Sequence, residues 1–264
     1  MKNRASVLWL SKGTVVDSTD LNTTEVLLEL GALDSVDYFA DGETRCVVAT
    51  EDTDKEALRA LLASNGFVEN DLEVASYTGC SKIEAATVLG GFLQDKAPHV
   101  SLIVHRDRDY MNDDNAQKFE SRLNAVNIKS LLTDSNDIEC DFINAAHLNA
   151  LNPTIAVERI QELIEAATAE TADKSIAAIV NQRTAEAFRA RSAGGPTPDH
   201  GAIAVQANTD FHSDPQKYRR GKVALGRLQA LLQQELGSNP RVFFPSDHLQ
   251  SPKLTALSAA VWPG

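Results

Sequence analysis

The chain lacks several things at once. No apolar run approaches the roughly 18 residues a membrane-spanning helix requires, so a helical membrane protein is not expected. The N-terminus, MKNRASVLWLSKG, holds an apolar stretch of only four residues, too short for the core of a secretory signal. Cysteine is scarce: Cys46, Cys80 and Cys140 are odd in number, widely spaced and free of any CxxC pattern. That excludes a disulfide framework and a cysteine-held zinc site, and it points to reduced thiols in a cytoplasmic protein, each acting as a small buried hydrophobe. The six histidines contain neither HxxxH nor HExxH spacing, which removes the common helical zinc-hydrolase pattern. Basic residues are in the minority, 25 Lys+Arg against 37 Asp+Glu, for a net charge of −12. Spread evenly, that charge would repel nucleic acid.

It is not spread evenly. Residues 1–144 hold 13 basic and 26 acidic side chains, residues 145–264 hold 12 and 11, and residues 174–241 hold 10 and 5. An acidic front half joined to a locally basic rear suits an enzyme that gathers cations at one end and phosphates at the other. Hydrophobic content of 43% and charged content of 23% are those of an ordinary globular chain, long enough for one large domain or two smaller ones.

Periodicity divides the chain further. Residues 5–16 read as two short strands around a Lys-Gly turn, and residues 23–33 as a helix stopped near Gly31. From residue 44 the pattern becomes regular: strands at 44–50, 72–77, 100–105 and 128–134 alternate with helices at 55–66, 81–97 and 115–127. Alternating strands and helices with short connections demand a mainly parallel sheet covered by helices. The rear is expected to be helical: a short acidic helix at 135–151, helices at 153–171 and 174–191, a loop at 192–201, a helix at 214–237, a strand RVFF at 241–244 and a last helix at 252–261. The expected organisation is therefore residues 1–42, 43–145 and 146–264.

Two acidic clusters stand at strand ends, Glu51-Asp52-Thr53-Asp54 and Asp107-Arg108-Asp109. In an extended chain residues i and i+2 point the same way, so Asp107 and Asp109 leave one face of the third core strand. Two such charges need a cation, water or an arginine beside them, and hard oxygen donors suit Mg²⁺. In parallel sheets ligands bind beyond the carboxyl ends of the strands, where both clusters fall.

A Glu after the first core strand, an apolar strand running into DxD (SLIVHRDRD) and further acids after the fourth strand (NDIECDFI) resemble the topoisomerase–primase (Toprim) domain. The nearer resemblance is to Toprim nucleases of the overcoming-lysogenization-defect family and related phage-defence effectors. It covers about residues 45–145, and YRRGK at 218–222 resembles a rear Gly-Lys element of the same proteins. One departure is Asp52, where the family typically has Gly. The resemblance implies a Rossmann-like, mainly parallel four-stranded sheet with a mostly α-helical C-terminal region. It implies a nuclease that uses Mg²⁺ or Mn²⁺, with Glu51, Asp107 and Asp109 as metal ligands and Asp54, Asp137 and Glu139 as further candidates. Lys222 would stabilise transition-state charge or protonate the leaving group, and Arg219, Arg220 and Arg227 would contact phosphates.

VLWLSKGTVVDST resembles the last strands of an ABC-type ATPase domain, and no Walker motif occurs in the 264 residues. The family places an ATPase beside its nuclease, so a separate ATPase subunit is an expected partner, along with nucleic acid and a possible second copy of the chain. The rival reading is a non-catalytic Toprim-like subunit that binds nucleic acid or that ATPase, with Asp52 as its support. His105-Arg106-Asp107 followed by Asn112 matches the spacing of a protein-kinase catalytic loop, but the glycine-rich loop, strand lysine, DFG and APE are missing. A haloacid-dehalogenase phosphatase would carry its DxD after the first strand, not the third.

Overall fold

A computed structural model describes residues 10–11, 14–15, 44–76 and 82–263. The helix expected at 23–33 lies outside the described residues. Near the start, β1 (Leu10–Ser11) pairs antiparallel with β2 (Thr14–Val15). The series that follows is β3 (Cys46–Thr50), α1 (Glu56–Ser64), β4 (Leu72–Ser76), α2 (Lys82–Lys96), β5 (Ser101–Arg106), α3 (Asp113–Asn124) and β6 (Lys129–Leu132). The strands form a four-stranded parallel sheet in the order β4-β3-β5-β6, with Ala49 opposite both Ala75 and Val104. β3 is buried along its whole length, which explains why it reads as a continuous apolar run rather than an alternating one.

By compactness the chain divides into two units, Met1–Thr53, Glu69–Val104 and Arg122–Ser130 in one, and Asp54–Val68, His105–Ser121 and Leu131–Gly264 in the other. The division does not follow the sequence boundaries at 42/43 and 145/146. In the first unit Val47, Val48, Val74, Ile103, Leu123 and Ile128 are sealed from solvent. In the second, α4 (Ala145–Leu151), α5 (Val157–Glu170), α6 (Ala172–Ser192), α7 (His200–Ser213), α8 (Pro215–Tyr218), α9 (Gly221–Leu236) and α10 (Pro252–Val261) complete the fold. There α9 packs along α5, and α6 along α7, burying Phe142, Leu148, Ile160, Leu225, Leu228 and Ile179.

The rear differs from expectation in four places. The acidic helix at 135–151 is two pieces, a 3₁₀ turn at Ile138–Phe142 and then α4, capped by Asn144 accepting the His147 N–H. Pro153 does not open α5, whose N-cap is Ala156. Residues 200–213, mostly unassigned from the sequence, form a helix, α7, because Asp199 accepts the Ala202 N–H at 3.0 Å and Ala207 and Phe211 pack on Ile179. The expected continuous helix at 214–237 breaks at Arg219 and Arg220, both extended.

RVFF is not a strand. The Asn152 side-chain amide donates to the Arg241 carbonyl and accepts the Arg241 N–H, both at 2.9 Å, doing for that residue what a neighbouring strand would. His147 holds the next turn. Its Nε2 sits 2.8 Å from the Val242 carbonyl, which can only accept, so Nε2 carries the proton and Nδ1 accepts from the Ser246 hydroxyl at 2.7 Å.

His105 predicts an acid-sensitive fold. It is fully buried in β5, and burial lowers its pKa from 6.5 to about 4. The unfolded chain therefore takes up a proton below pH 6.5 that the folded chain refuses until about pH 4. Stability falls across that window, by about 3 kcal/mol from this group. The difference in urea midpoint between wild type and His105→Gln should shrink as pH drops from 7 to 4, and a constant difference would refute this.

Candidate functional site

β5 delivers the DxD to a turn held from the segment after β6. The Asp107 carboxylate accepts the Ile138 N–H at 3.0 Å. The Arg108 N–H donates to the Thr133 hydroxyl at 2.9 Å, and the Asp109 N–H to the Asn136 carbonyl at 2.8 Å. Between these anchors Asp109 and Tyr110 take positive φ, +48° and +58°. Side chains other than glycine seldom adopt that region, and each instance costs on the order of 1 kcal/mol. The turn closes with the Met111 N–H on the Arg108 carbonyl at 2.8 Å. Asp109 is exposed, while the side chain of Asp107 is 16% accessible.

His105, beneath the turn, comes within 3.9 Å of Asp107. Its lowered pKa leaves it neutral, so the contact is not an ion pair at pH 7. Tyr110 places its hydroxyl in a buried position with no hydrogen-bond partner. Burial, then the Asp137 charge, pushes its pKa up, so the phenol keeps its proton.

Asp137 is buried and accepts the Lys222 N–H at 3.2 Å, together with the Gly221 N–H and the Cys140 thiol. A carboxylate set against the first amides of α9 meets the positive end of the helix dipole and satisfies donors that no residue within the helix can reach. Its pKa still lies above the ordinary value because burial outweighs these bonds. Asp141 is raised to about 7, by burial first and the neighbouring Asp134 charge second.

The remaining candidates fall in different settings. Glu51 is half-buried and stands directly after β3, as Asp107 stands directly after β5, but the two belong to different compact units. Asp52 is drawn back to the strand end, its N–H on the Thr50 hydroxyl at 3.1 Å and its carboxylate accepting from that hydroxyl at 3.3 Å. Asp54 is exposed and accepts the Glu56 N–H at 3.1 Å, which caps the first turn of α1. Glu139 is half-buried.

Of the basic candidates, Arg220 and Lys222 are exposed. Arg219, expected to contact phosphate, is 7% exposed and donates to the Ile143 carbonyl at 3.2 Å. Arg227 is paired with Glu170. Sequence reasoning missed Tyr110 and Asn136, the two residues that shape and anchor the turn. Tyr110 adjoins the DxD directly, and that adjacency was the available signal.

Among the described residues, no three His, Cys, Asp or Glu side chains are grouped as a ligand set for a metal ion. Mg²⁺ does not demand three: it is commonly held by one or two carboxylates with waters and substrate phosphates completing its shell. Asp107 and Asp109 carry carboxylate oxygens of that kind, but the strand ends at Arg106 and Asp109 sits at φ +48°, so the extended i, i+2 geometry expected of the pair does not hold.

No family model matches the chain. No curated protein matches it. No solved structure matches it.

Proposed function

We propose that the chain is a divalent-metal-dependent nuclease that hydrolyses phosphodiester bonds in nucleic acid, of the kind its Toprim-like motifs imply, working as a phage-defence effector beside a separate ABC-type ATPase. The observation that carries this reading is the strained turn at Asp109–Tyr110. A fold tolerates two consecutive residues at positive φ where the surroundings over-determine them, and such strain gathers at functional sites. Here it follows the carboxyl end of a parallel strand, where ligands of such sheets bind. The acids at the ends of β3 and β5 add to it, as does the basic rear of the chain.

In this reading Asp107 and Asp109 would hold Mg²⁺ or Mn²⁺, which would supply an activated water and charge neutralisation at the phosphate. The Asp107–Ile138 hydrogen bond fixes the first carboxylate. Lys222, exposed at the start of α9, supplies a cation for the charge that develops on the phosphate or the leaving oxygen.

The test is cleavage of a panel of single-stranded DNA, duplex DNA, RNA and transfer RNA with Mg²⁺ and Mn²⁺, paired with calorimetric titration of Mn²⁺. Metal-dependent cleavage of any substrate is the expected result. Co-purification with an ATPase from the native host is expected too, and its absence counts against the partner. Asp52 favours a second reading, a non-catalytic subunit, because its carboxylate occupies the strand end where the family has Gly. Heat-silent Mn²⁺ titration near neutral pH together with no cleavage would establish that alternative.

A further inference from the structure

Beside the strained turn lies an open cleft of about 530 Å³. One wall is α6, which presents Lys174, Ala177, Ala178 and Asn181 toward it, spaced i, i+3, i+4 and i+7 and so on one face of the helix. The two alanine methyls leave a floor that a ligand can approach closely. Across it stand Asp109 and Tyr110, with Arg220 at the rim. The Arg220 N–H donates to the Ser175 hydroxyl at 3.0 Å, which tethers the break before α9 to the start of α6 and brings Arg220 to the same cleft as Lys174.

Five other cations of the chain are committed. Arg108, Arg159, Arg183, Arg227 and Lys253 each hold a carboxylate. Lys174 and Arg220 are exposed and take part in no ion pair among the described residues. Two unpaired cations over a small-residue floor, the amides of Asn181 and Gln182 and the partnerless phenol of Tyr110 give the cleft its donors, while the carboxylates of Asp109 and Asp137 also line it, Asp137 being taken up by the first amides of α9.

We propose that this cleft seats the phosphodiester backbone of a nucleic acid strand, with Lys174 and Arg220 as its phosphate contacts and Asn181 and Gln182 as donors to phosphate or sugar. The substrate class rests on the nuclease reading, whereas the seat itself does not need a metal. Tyr110 is the single aromatic lining residue among those described, so the cleft offers phosphate contacts and little base stacking. Binding is therefore indifferent to base sequence.

The experiment is fluorescence anisotropy of labelled single-stranded and duplex oligonucleotides in EDTA, across a salt series. The double variant Lys174→Gln/Arg220→Gln is expected to bind at least tenfold more weakly at low salt. Its slope of log K against log salt should flatten by about 1.4 for a single strand, at about 0.7 per lost phosphate contact. The charge-matched double variant Arg59→Gln/Lys118→Gln, two exposed cations on α1 and α3, should bind as wild type, and both variants should melt as wild type does. Unchanged affinity and slope in the cleft variant would overturn the proposal, as would wild type that binds no oligonucleotide or binds inorganic phosphate alone. Metal-free binding that depends on Lys174 and Arg220, in a protein that cleaves nothing with Mg²⁺ or Mn²⁺, would keep the cleft and sink the nuclease.

Discussion

Asp109→Gly is expected to keep the fold and to lower metal-dependent cleavage by at least about a hundredfold. Glycine is the substitution of choice because it accepts φ near +48° without strain, whereas alanine there would add a backbone penalty to the lost carboxylate. The Asp109 N–H still reaches the Asn136 carbonyl in the variant, so the turn keeps its anchor. Under the proposed nuclease reading, in which Asp109 would hold the metal, the loss should appear in kcat, since a metal's charge counts most where negative charge develops on the phosphate. Asp107→Ala should lose as much activity and some stability besides. It leaves the Ile138 N–H without its acceptor, which costs about 1–3 kcal/mol where that donor is buried. The pair of variants thus separates chemistry from folding. Wild-type turnover in Asp109→Gly, measured with Mn²⁺ at saturation, would remove Asp109 from the site.

The largest expected effect on stability belongs to Gly221. A β-carbon there would lie 1.9 Å from the Asp137 carboxylate and 2.6 Å from both the amide nitrogen and the sulfur of Cys140. None of these is the far end of a flexible chain: the carboxylate caps α9, and the amide belongs to the 3₁₀ turn. Gly221→Ala must therefore push Asp137 off the helix start, uncapping α9 and stranding a buried carboxylate. A loss of about 3 kcal/mol or more follows, read as a drop in Tm of roughly 10 °C. Gly226 on the same helix is the control. It is exposed, and a β-carbon would meet nothing within 4 Å, so Gly226→Ala should stabilise by up to about 1 kcal/mol. Equal effects at the two glycines would show that helix propensity alone, and not the Asp137 contact, governs the position.

The Gly221 geometry also changes how YRRGK is to be understood. As a string it looked like one stretch of basic helix aimed at phosphate. In the structure Arg219 turns inward to the Ile143 carbonyl, Gly221 makes room for Asp137, and only Arg220 and Lys222 face solvent. The two residues with the firmest structural roles are thus the ones least able to meet a ligand.

The β/α series was legible from the sequence because each element carries its own pattern. β3 and β5 carry continuous apolar runs, residues 46–49 and 102–104, α1 repeats at 3.6 residues, and the last helix matches Pro252–Val261. The strand-end acids were legible for the same reason, since a strand's length tells where its carboxyl end falls. Such features depend on a residue and its near neighbours.

What the tertiary structure alone decided depends on partners far away along the chain. Lys222 meets Asp137 across 85 positions, and Val242 meets His147 across 95. The break before α9 exists because a carboxylate from another segment supplies the cap. RVFF is not a strand because a side-chain amide, Asn152, takes the place of a neighbouring one. The strain at Asp109 and Tyr110 exists because anchors at Thr133 and Asn136 hold the turn from outside. Local propensity determined which elements form, and long-range hydrogen bonding determined where they stop and which charged residues remain exposed, because a buried donor or acceptor must find its partner wherever the fold places one.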